Sequence, residues 1–438
     1  MSRAILRVPL LLGSVALCAA ACAQAPAPAG NTAANSAATS GASTAAAPTY
    51  SPVPEATTTA AAPSGTPSAA EVRARSPRLA LSYDGGVLVL DALTGKVLGD
   101  LPAKGFTRLN PAGDERHVLL TEGDAFRVLD LGAWSEPHGD HAHRYAGDPR
   151  PTDLAFASKK PGHAVVHDGK TVLYGDGNGK VESFASADLL AGKAPKTQVW
   201  TDPSPHHGVA VIRADGTMLT TKGDAKKRDG VVILDAARAK IAESSDCPGV
   251  HGEAAAADHV LAVGCENGIL IVKGTQITKV ASPDAYGRIG NQAGSEKSPV
   301  ILGDYKVDKS AELERPKRIS LTDTRTNSLK LVDLPASYSF RSLRRTPTGD
   351  GLVLGTDGVL RVIDVQAAKV GREIPVTKSW DEPVDWQKPR PAIHVQDGTA
   401  YVTEPAERLL HLVDLESGKL VKTVQLPRVP NEITGTRG

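Results

Sequence analysis

Histidine is the residue type whose spacing in this sequence is best suited to metal binding. Eight of the 12 histidines lie in four short segments. The segments are PHGDHAHRY at 137–145, PGHAVVHDGK at 161–170, SPHHG at 204–208 and CPGVHGE at 247–253. Neutral imidazole is the commonest protein ligand for zinc, which takes three or four such ligands in a tetrahedral arrangement. The first segment, with His138, His141 and His143, could supply several ligands by itself.

Three of the four histidine segments also have a structural interpretation. HGDHAH could be a solvated polar loop, and the paired histidines of the second and third segments could be half-buried strand residues. Asp140 and Glu253 lie beside these segments, where a carboxylate could bind the metal or orient an imidazole. The remaining histidines stand singly in predicted strands, and we interpret them as structural: His117, His259, His394 and His411.

A repeated pattern sets the predicted fold. Segments such as VLVLDALTGKVLGDLP at 87, LRVIDVQAAKVGREIPV at 360 and LHLVDLESGKLVKTVQLP at 410 alternate aliphatic residues around an Asp and a turn. This is the pattern of a β-hairpin. Successive copies lie about 40 to 50 residues apart, which is the period of a four-stranded propeller blade. We therefore expect an all-β chain that forms one β-propeller of eight blades, or seven if one weak copy is an insertion.

The first predicted blade lacks an inner strand. The C-terminal segment NEITGTR could supply it and so close the ring, which would remove exposed sheet edges.

The predicted blades also place the histidine segments. GAWSEPHGDH is a long loop after Asp130, and HAHRY begins the outer strand of that blade. His163 and His167 flank the next blade's second strand, and the two groups could meet at the blade junction. His206, His207 and His251 begin inner strands at the mouth of the axial channel.

The cysteines fit the same geometry. Cys247 precedes an inner strand, and Cys265 ends the neighbouring second strand. In an oxidising exterior such a pair most simply forms a disulfide. The bridge would close a loop of about 18 residues and stabilise the fold by about 3 kcal/mol. The alternative is that both cysteines are thiolate ligands of zinc.

The N-terminus predicts export. Arg3 and Arg7 precede a short apolar run, which is typical of a secretory signal. Small residues before Cys22 indicate a lipoprotein signal peptide over 1–21 and acylation of Cys22. The alternative is simple cleavage of the signal peptide nearby, without acylation. Residues 22–77 are almost entirely Ala, Pro, Ser, Thr and Gly, which predicts a disordered tether. An O-glycosylated stalk is the alternative, and 78–438 form the propeller.

Composition and motifs exclude several functional classes. The formal net charge is +1 and the basic residues are scattered, so nothing indicates a nucleic-acid partner. YGDGNGK at 174–180 lies in a strand turn and precedes no helix that could hold phosphate. The sequence contains no Gly-x-Ser-x-Gly motif for a hydrolase nucleophile.

The histidine segments resemble those of the AztD-type zinc metallochaperones. LDLGAWSEPHGDHAHRY, PGHAVVHDGKTVLYGDGNG, HHGVAV and CPGVHGEAAA occur in the same order, and HGDHAH is the most specific part. The resemblance covers the chain after about residue 78. It implies an exported propeller that hands zinc to the substrate-binding protein of a zinc ABC importer. It also implies metal-binding roles for His138, His141, His143, His163, His167, His207 and His251.

Three functions are compatible with these features of the sequence. We expect a zinc-binding metallochaperone without catalysis, held by its lipid anchor at the outer face of the membrane. The predicted anchor and long tether differ from the freely soluble periplasmic form of the family that the sequence resembles. This difference favours a tethered donor. The alternatives are a propeller enzyme of the lactonase or lyase kind, with axial histidines as acid, base or metal ligands, and a protein-interaction scaffold.

Overall fold

The repeated segments form β-hairpins whose aliphatic residues are buried on both faces. In β2 (Arg78–Tyr83) and β3 (Gly86–Asp91), the first five residues of each strand are buried. Both faces are apolar because each blade packs between two neighbouring blades. The structure is a computed structural model that describes residues 69–438, and strands are numbered in chain order within that range.

The strands group into eight blades and one smaller sheet. Blade 1 contains β2, β3 and β4 (Val97–Pro102), and blade 2 contains β5 (Arg108–Pro111), β6 (His117–Glu122), β7 (Ala125–Asp130) and β10 (Arg150–Ala157). The smaller sheet contains β1 (Ala70–Glu71), β8 (Ala133–His138) and β9 (His141–Ala146). Blade 3 contains β11 (Pro161–His167), β12 (Lys170–Gly175), β13 (Lys180–Ala185) and β14 (Gln198–Thr201). Blade 4 contains β15 (Ala210–Ile212), β16 (Met218–Gly223), β17 (Arg228–Leu234) and β18 (Lys240–Ser244).

The second half of the ring repeats this arrangement. Blade 5 contains β19 (His251–Ala255), β20 (Leu261–Cys265), β21 (Asn267–Lys273), β22 (Gln276–Ala281) and the short β23 (Gly287–Arg288). Blade 6 contains β24 (Gln292–Ala293), β25 (Val300–Asp304), β26 (Arg318–Asp323) and β27 (Ser328–Asp333). Blade 7 contains β28 (Leu343–Arg345), β29 (Gly351–Leu354), β30 (Val359–Asp364) and β31 (Lys369–Pro375). Blade 8 contains β32 (Ile393–Gln396), β33 (Thr399–Glu404), β34 (Leu409–Asp414) and β35 (Lys419–Gln425), and β36 (Ile433–Thr436) belongs to blade 1. Three short 3-10 helices span Ser186–Ala191, Ala257–His259 and Pro405–Glu407.

The predicted all-β propeller is confirmed. The ring described over 69–438 has eight blades, so the seven-blade alternative is wrong. The expected closure by the C-terminal segment is also found, since β36 pairs antiparallel with β2. In this pairing Gly435 lies opposite Leu79 and Ile433 lies opposite Leu81. Blade 1 is therefore assembled from both ends of the described chain.

Glu432, just before β36, ties this closing strand to the neighbouring blades. Its carboxylate accepts hydrogen bonds from Arg108 Nε at 3.2 Å, from the Leu109 backbone N–H at 2.9 Å and from Arg341 Nη2 at 3.3 Å. The side chains of Glu432 and Arg341 are 9% and 5% exposed. A buried carboxylate shared by blades 1, 2 and 7 thus links the closing strand to parts of the ring far apart in sequence.

The hydrophobic core lies between blades and is made of one apolar cluster per junction. At the junction of blades 1 and 2, for example, Val87 and Val89 pack against Val118 and Leu120. The disulfide partners lie in such a cluster between blades 4 and 5. Cys247 and Cys265 are bonded in the structure, with their Cα atoms 4.9 Å apart. The inner strands surround a central cavity of about 440 Å³.

Part of the predicted organisation concerns residues that the structure does not describe. The signal peptide over 1–21, Cys22 and the tether as far as residue 68 lie outside the described residues. Of the predicted tether over 22–77, the last residues are described, and Ala70–Glu71 pair with β9 as strand β1. The domain boundaries remain predictions. Over 69–438, none of the helices has the length and apolar character needed to span a bilayer.

We predict that Glu432→Ala destabilises the ring. Removing the carboxylate leaves the buried Arg341 guanidinium without its ionic partner, and breaking a buried pair in this way costs about 3 kcal/mol. The free energy of unfolding, measured by urea denaturation, should fall by about that amount. Glu416→Ala, at an exposed position of blade 8, is the control and should change it by less than about 0.5 kcal/mol. Equal stability of the two variants would contradict the proposed role of Glu432.

Candidate metal centres

The HGDHAH segment forms a hairpin that is separate from the blade. We expected GAWSEPHGDH to be a long loop and HAHRY to begin the outer strand of blade 2, and both expectations are wrong. β8 and β9 pair with each other, and the outer strand that pairs with β7 is β10. The hairpin is thus inserted between the third and fourth strands of blade 2. Gly139 makes its tight turn possible with a φ of 61°.

The three histidines of this hairpin lie on one face. His138 lies directly opposite His141, and His143 follows two residues later on the same strand face. Their ring centroids are 5.1 to 5.4 Å apart, and His143 Nε2 lies 3.4 Å from His138 Nδ1. On the outer side, His143 Nδ1 lies 2.7 Å from Glu71 Oε1 in β1. We call these three histidines the hairpin cluster, which is largely exposed to solvent.

A second group of histidines meets at one mouth of the axial channel. His163 lies near the start of the inner strand β11, and His251 is the first residue of the inner strand β19. His207 lies three residues before the inner strand β15. The expected placement of His207 and His251 at inner-strand starts is thus found. The expected position of His163 beside a second strand is wrong.

The ring nitrogens of this second group converge. His207 Nε2 lies 3.4 Å from His163 Nε2 and 3.3 Å from His251 Nε2. The other nitrogens are held from behind: His207 Nδ1 contacts Asp176 Oδ2 at 2.5 Å, and His251 Nδ1 donates to the Gly290 carbonyl oxygen at 2.6 Å. A proton on Nδ1 leaves the Nε2 lone pair free to bind metal. We call His163, His207 and His251 the channel cluster.

Burial keeps part of the channel cluster uncharged. Desolvation, followed by the neighbouring histidines, lowers the pKa of His163 well below its usual value. Desolvation also lowers the pKa of His251 to about 3, against the opposing hydrogen bond to Gly290. Glu253 lines the central cavity together with His163 and His251. Burial raises the pKa of its carboxyl to about 7. Neutral imidazoles are the form that binds zinc, so these rings need not lose a proton first.

The spacing of the channel cluster reveals a signal that the sequence interpretation missed. His163, His207 and His251 are each separated by 44 residues. This interval is one blade repeat, so each histidine occupies an equivalent position in blades 3, 4 and 5. Equivalent positions in neighbouring blades lie side by side around the axis. Reading the histidines against the repeat period would therefore have grouped these three.

Other histidines are placed differently from the expectation. The structure does not bring the 141–143 and 163–167 groups together at a blade junction: His167 ends β11, away from His163, and lies near Asp168 and His259. His259 is not in a strand but in the 3-10 turn Ala257–His259. His206 uses its nitrogens within the protein, with Nε2 at 2.9 Å from Thr221 Oγ1 and Nδ1 at 2.8 Å from the Ser204 carbonyl oxygen.

Several single residues lie where the sequence predicts them. His117, His394 and His411 lie in strands β6, β32 and β34 as expected. Asp140 Oδ1 lies 3.1 Å from His141 Nδ1, which suits a residue that orients an imidazole. The bonded sulfur atoms of Cys247 and Cys265 leave no thiolate there to bind zinc.

Comparisons with known proteins support the resemblance seen in the sequence. No protein-family model matches the chain. The zinc chaperone AztD of Citrobacter koseri is 28% identical over 364 residues, which cover 80% of this chain and 84% of that protein. A crystal structure of Citrobacter koseri AztD has a TM-score of 0.72 at 26% identity, covering 83% of this chain and 98% of that one. The resemblance to AztD is thus confirmed.

Two further solved structures show the fold alone. The structure of apo AztD from Citrobacter koseri is 24% identical with a TM-score of 0.72, covering 84% of this chain and all of that chain (100%). The dihydro-heme d1 dehydrogenase NirN, in complex with DHE, is 12% identical with a TM-score of 0.53 and covers 82% of this chain and 75% of that one. A shared propeller fold carries no conclusion about chemistry by itself.

We predict that acid destabilises the metal-free protein partly through His251. Its pKa is about 3 in the folded chain, against 6.5 for an ordinary solvated histidine, so between these values only the unfolded chain binds the proton. Stability therefore falls as the pH drops below 6.5, by up to about 1.4 kcal/mol per pH unit for this residue. His251→Gln should reduce the loss between neutral pH and about pH 5 by up to about 2 kcal/mol in urea denaturation with a chelator present. Parallel pH profiles for the two proteins would contradict this assignment.

Proposed function

We propose that this protein is an exported zinc metallochaperone that hands zinc to the substrate-binding protein of a zinc ABC importer. The observation that carries the proposal is the presence of two clusters of three histidines with converging ring nitrogens. The similarity to the zinc chaperone AztD supports zinc as the cargo. Delivery, rather than catalysis, is the role of the bound ion in this proposal.

The hairpin cluster suits transfer to a partner. Three imidazoles leave one position of a tetrahedral zinc ion open, and a ligand from a partner can enter there. His138 and His141 are exposed, and His143 is half-buried. Stepwise exchange needs donor ligands that can leave one at a time, and side chains at the tip of a two-stranded hairpin meet that need. The hairpin cluster is therefore the proposed donor.

The channel cluster suits firmer binding. Its histidines come from three different blades, so they cannot move apart without disturbing the packing of the ring. Asp176 and the Gly290 carbonyl oxygen fix two of the rings at their Nδ1 atoms. Hydrogen bonds of this kind orient a metal-binding imidazole and raise its affinity for the metal. We therefore propose that this cluster holds zinc more tightly and releases it more slowly.

One observation favours the alternative of a propeller enzyme. Glu253 lines the central cavity with His163 and His251, and burial raises the pKa of its carboxyl to about 7. A carboxyl group with a pKa near neutrality can act as a general base beside a bound metal. Hydrolytic activity on a lactone that is lost in Glu253→Gln, with zinc binding retained, would support this alternative.

The proposed transfer can be measured directly. Zinc-loaded protein is mixed with a metal-free substrate-binding protein of a zinc importer and a chelator that captures free zinc, and the two proteins are then separated for metal analysis. Replacing His138, His141 and His143 together by Ala should lower the amount of zinc transferred at least about tenfold. Loss of a single metal ligand, or of one hydrogen bond that orients it, already weakens metal binding by more than about 1.4 kcal/mol. Ala142→Ser, between two of these histidines on the opposite strand face, is the matched control and should transfer normally.

The outcomes of this experiment separate the alternatives. Transfer that disappears with the chelator in the unchanged protein would show release into solution and overturn direct delivery. Unchanged transfer by the triple variant would exclude the hairpin cluster as the donor. A triple variant that still binds zinc but does not deliver it would assign storage to ligands outside the hairpin cluster.

The proposed location is the outer face of the membrane, with a lipid anchor at Cys22. Arg3, Arg7 and the apolar run that follows support export, and the small residues before Cys22 support acylation. We predict that the unchanged protein partitions into detergent and sediments with membranes. Cys22→Ala should appear in the extracytoplasmic soluble fraction with its zinc content unchanged. Membrane association of this variant equal to that of the parent would contradict the anchor.

A further inference from the structure

A third group of potential metal ligands lies at the opposite end of the inner strands. The strands β11 and β19 both start at the channel cluster, so their last residues lie at the other mouth of the channel. His167 is the last residue of β11 and Asp168 is in the turn that follows. His259 lies in the 3-10 turn after β19. His163 and His167 are four positions apart in an extended strand, a distance of about 13 Å.

The three side chains converge. One ligand atom from each of His167, Asp168 and His259 lies within 4.8 Å of the others. His259 Nδ1 is 2.8 Å from Asp168 Oδ1, and His167 Nε2 is 3.4 Å from Asp168 Oδ2. The two imidazole ring centroids are 6.0 Å apart. A carboxylate between two imidazoles is a donor set that zinc and similar divalent metals accept.

His167 carries the independent observation that points to a ligand. Its side chain is 8% exposed. Although Nε2 lies 3.4 Å from Asp168 Oδ2, the geometry is not that of a hydrogen bond, and Nε2 has no hydrogen-bond partner among the described residues. An unsatisfied buried nitrogen costs about 1 to 3 kcal/mol, so such groups are rare without an unseen partner. This nitrogen faces Asp168, the central member of the group. A metal ion bound by Asp168 would also satisfy His167.

The neighbouring backbone holds the other two ligands in place. The Ala214 backbone N–H donates to Asp168 Oδ2 at 2.9 Å, which orients the carboxylate while Oδ1 faces His259. Asp258 and His259 have φ angles of 60° and 55°. Two successive non-glycine residues in the left-handed region are uncommon. This turn brings His259, which is 67% exposed, to the edge of the group and leaves one side open to solvent.

We propose that His167, Asp168 and His259 form a third binding site, for zinc or a similar divalent transition metal. The site is independent of the hairpin and channel clusters because it shares no ligand with either. Its two imidazoles and one carboxylate leave a fourth position open toward solvent. The proposal goes beyond the proposed function, since transfer from the hairpin cluster does not require a site at this end of the channel.

Cobalt binding to the full chain tests this site without an assay of transfer. A background variant carries Ala in place of four ligands of the other clusters, namely His138, His141, His143 and His207. Titration of this variant with Co²⁺ alone should give one bound ion per chain, with the visible absorption of a tetrahedral site. Adding His259→Ala should abolish that absorption and weaken Zn²⁺ binding at least about tenfold, equal to 1.4 kcal/mol.

Two further variants distinguish a metal ligand from a structural residue. Asp258→Asn, which keeps a residue type that tolerates the left-handed conformation, is the matched control and should retain the cobalt spectrum. Asp168→Asn keeps an oxygen for the Ala214 N–H and should weaken metal binding without lowering the thermal stability of the metal-free protein. A background variant that binds no cobalt, or a spectrum unchanged by His259→Ala, would overturn the proposal whatever the outcome of the transfer experiment.

Discussion

The pairing of the C-terminal strand β36 with β2 closes the ring of blades. Without it, blade 1 would lack its inner strand and the ring would have an open sheet edge. Glu432 extends the effect of this pairing, because its carboxylate joins blades 1, 2 and 7 through Leu109 and Arg341. A closed ring sets the distance between neighbouring inner strands. That distance in turn sets the separation of the imidazoles at the channel mouth.

The two histidine clusters differ in how the chain positions them. The channel cluster takes one residue from each of three consecutive blades, so its geometry follows from the packing of the whole ring. The hairpin cluster takes all its histidines from six residues of chain and depends on one two-stranded turn. Solvent exposure follows the same division, with two hairpin histidines exposed and two channel histidines half-buried. One domain thus combines a rigidly held histidine cluster with an adaptable one.

The blade repeat could be predicted from sequence because its information is local, and the closure followed from counting strands, since the first repeat lacks an inner strand. Alternating aliphatic residues, an Asp and a turn specify each hairpin wherever it lies in the ring. The location of HAHRY could not be predicted, because its alternation is equally compatible with an outer strand. Only the long-range pairing of β7 with β10 decides the matter, and this pairing passes over 19 residues of intervening chain between Asp130 and Arg150.

The grouping of the histidines was predicted only in part for a similar reason. His163 and His167 are close in sequence and share a strand, and this suggested one site. An extended strand places residues four apart about 13 Å from each other, which is too far for a common zinc ion. Their partners, His207 and His259, come from other blades. Contacts between blades depend on the ring geometry, which the sequence pattern of a single blade does not contain.

The insertion of the hairpin into blade 2 separates the histidine-bearing tip from the sheet that supports it. Strands β5, β6, β7 and β10 form a complete four-stranded blade without β8 and β9. Surface insertions at such a point leave the supporting elements unchanged, which is why binding residues so often vary on a constant framework. Changes in the length of this hairpin or in the number of its histidines can therefore accumulate during evolution, while the register of the blade and the shape of the ring stay the same.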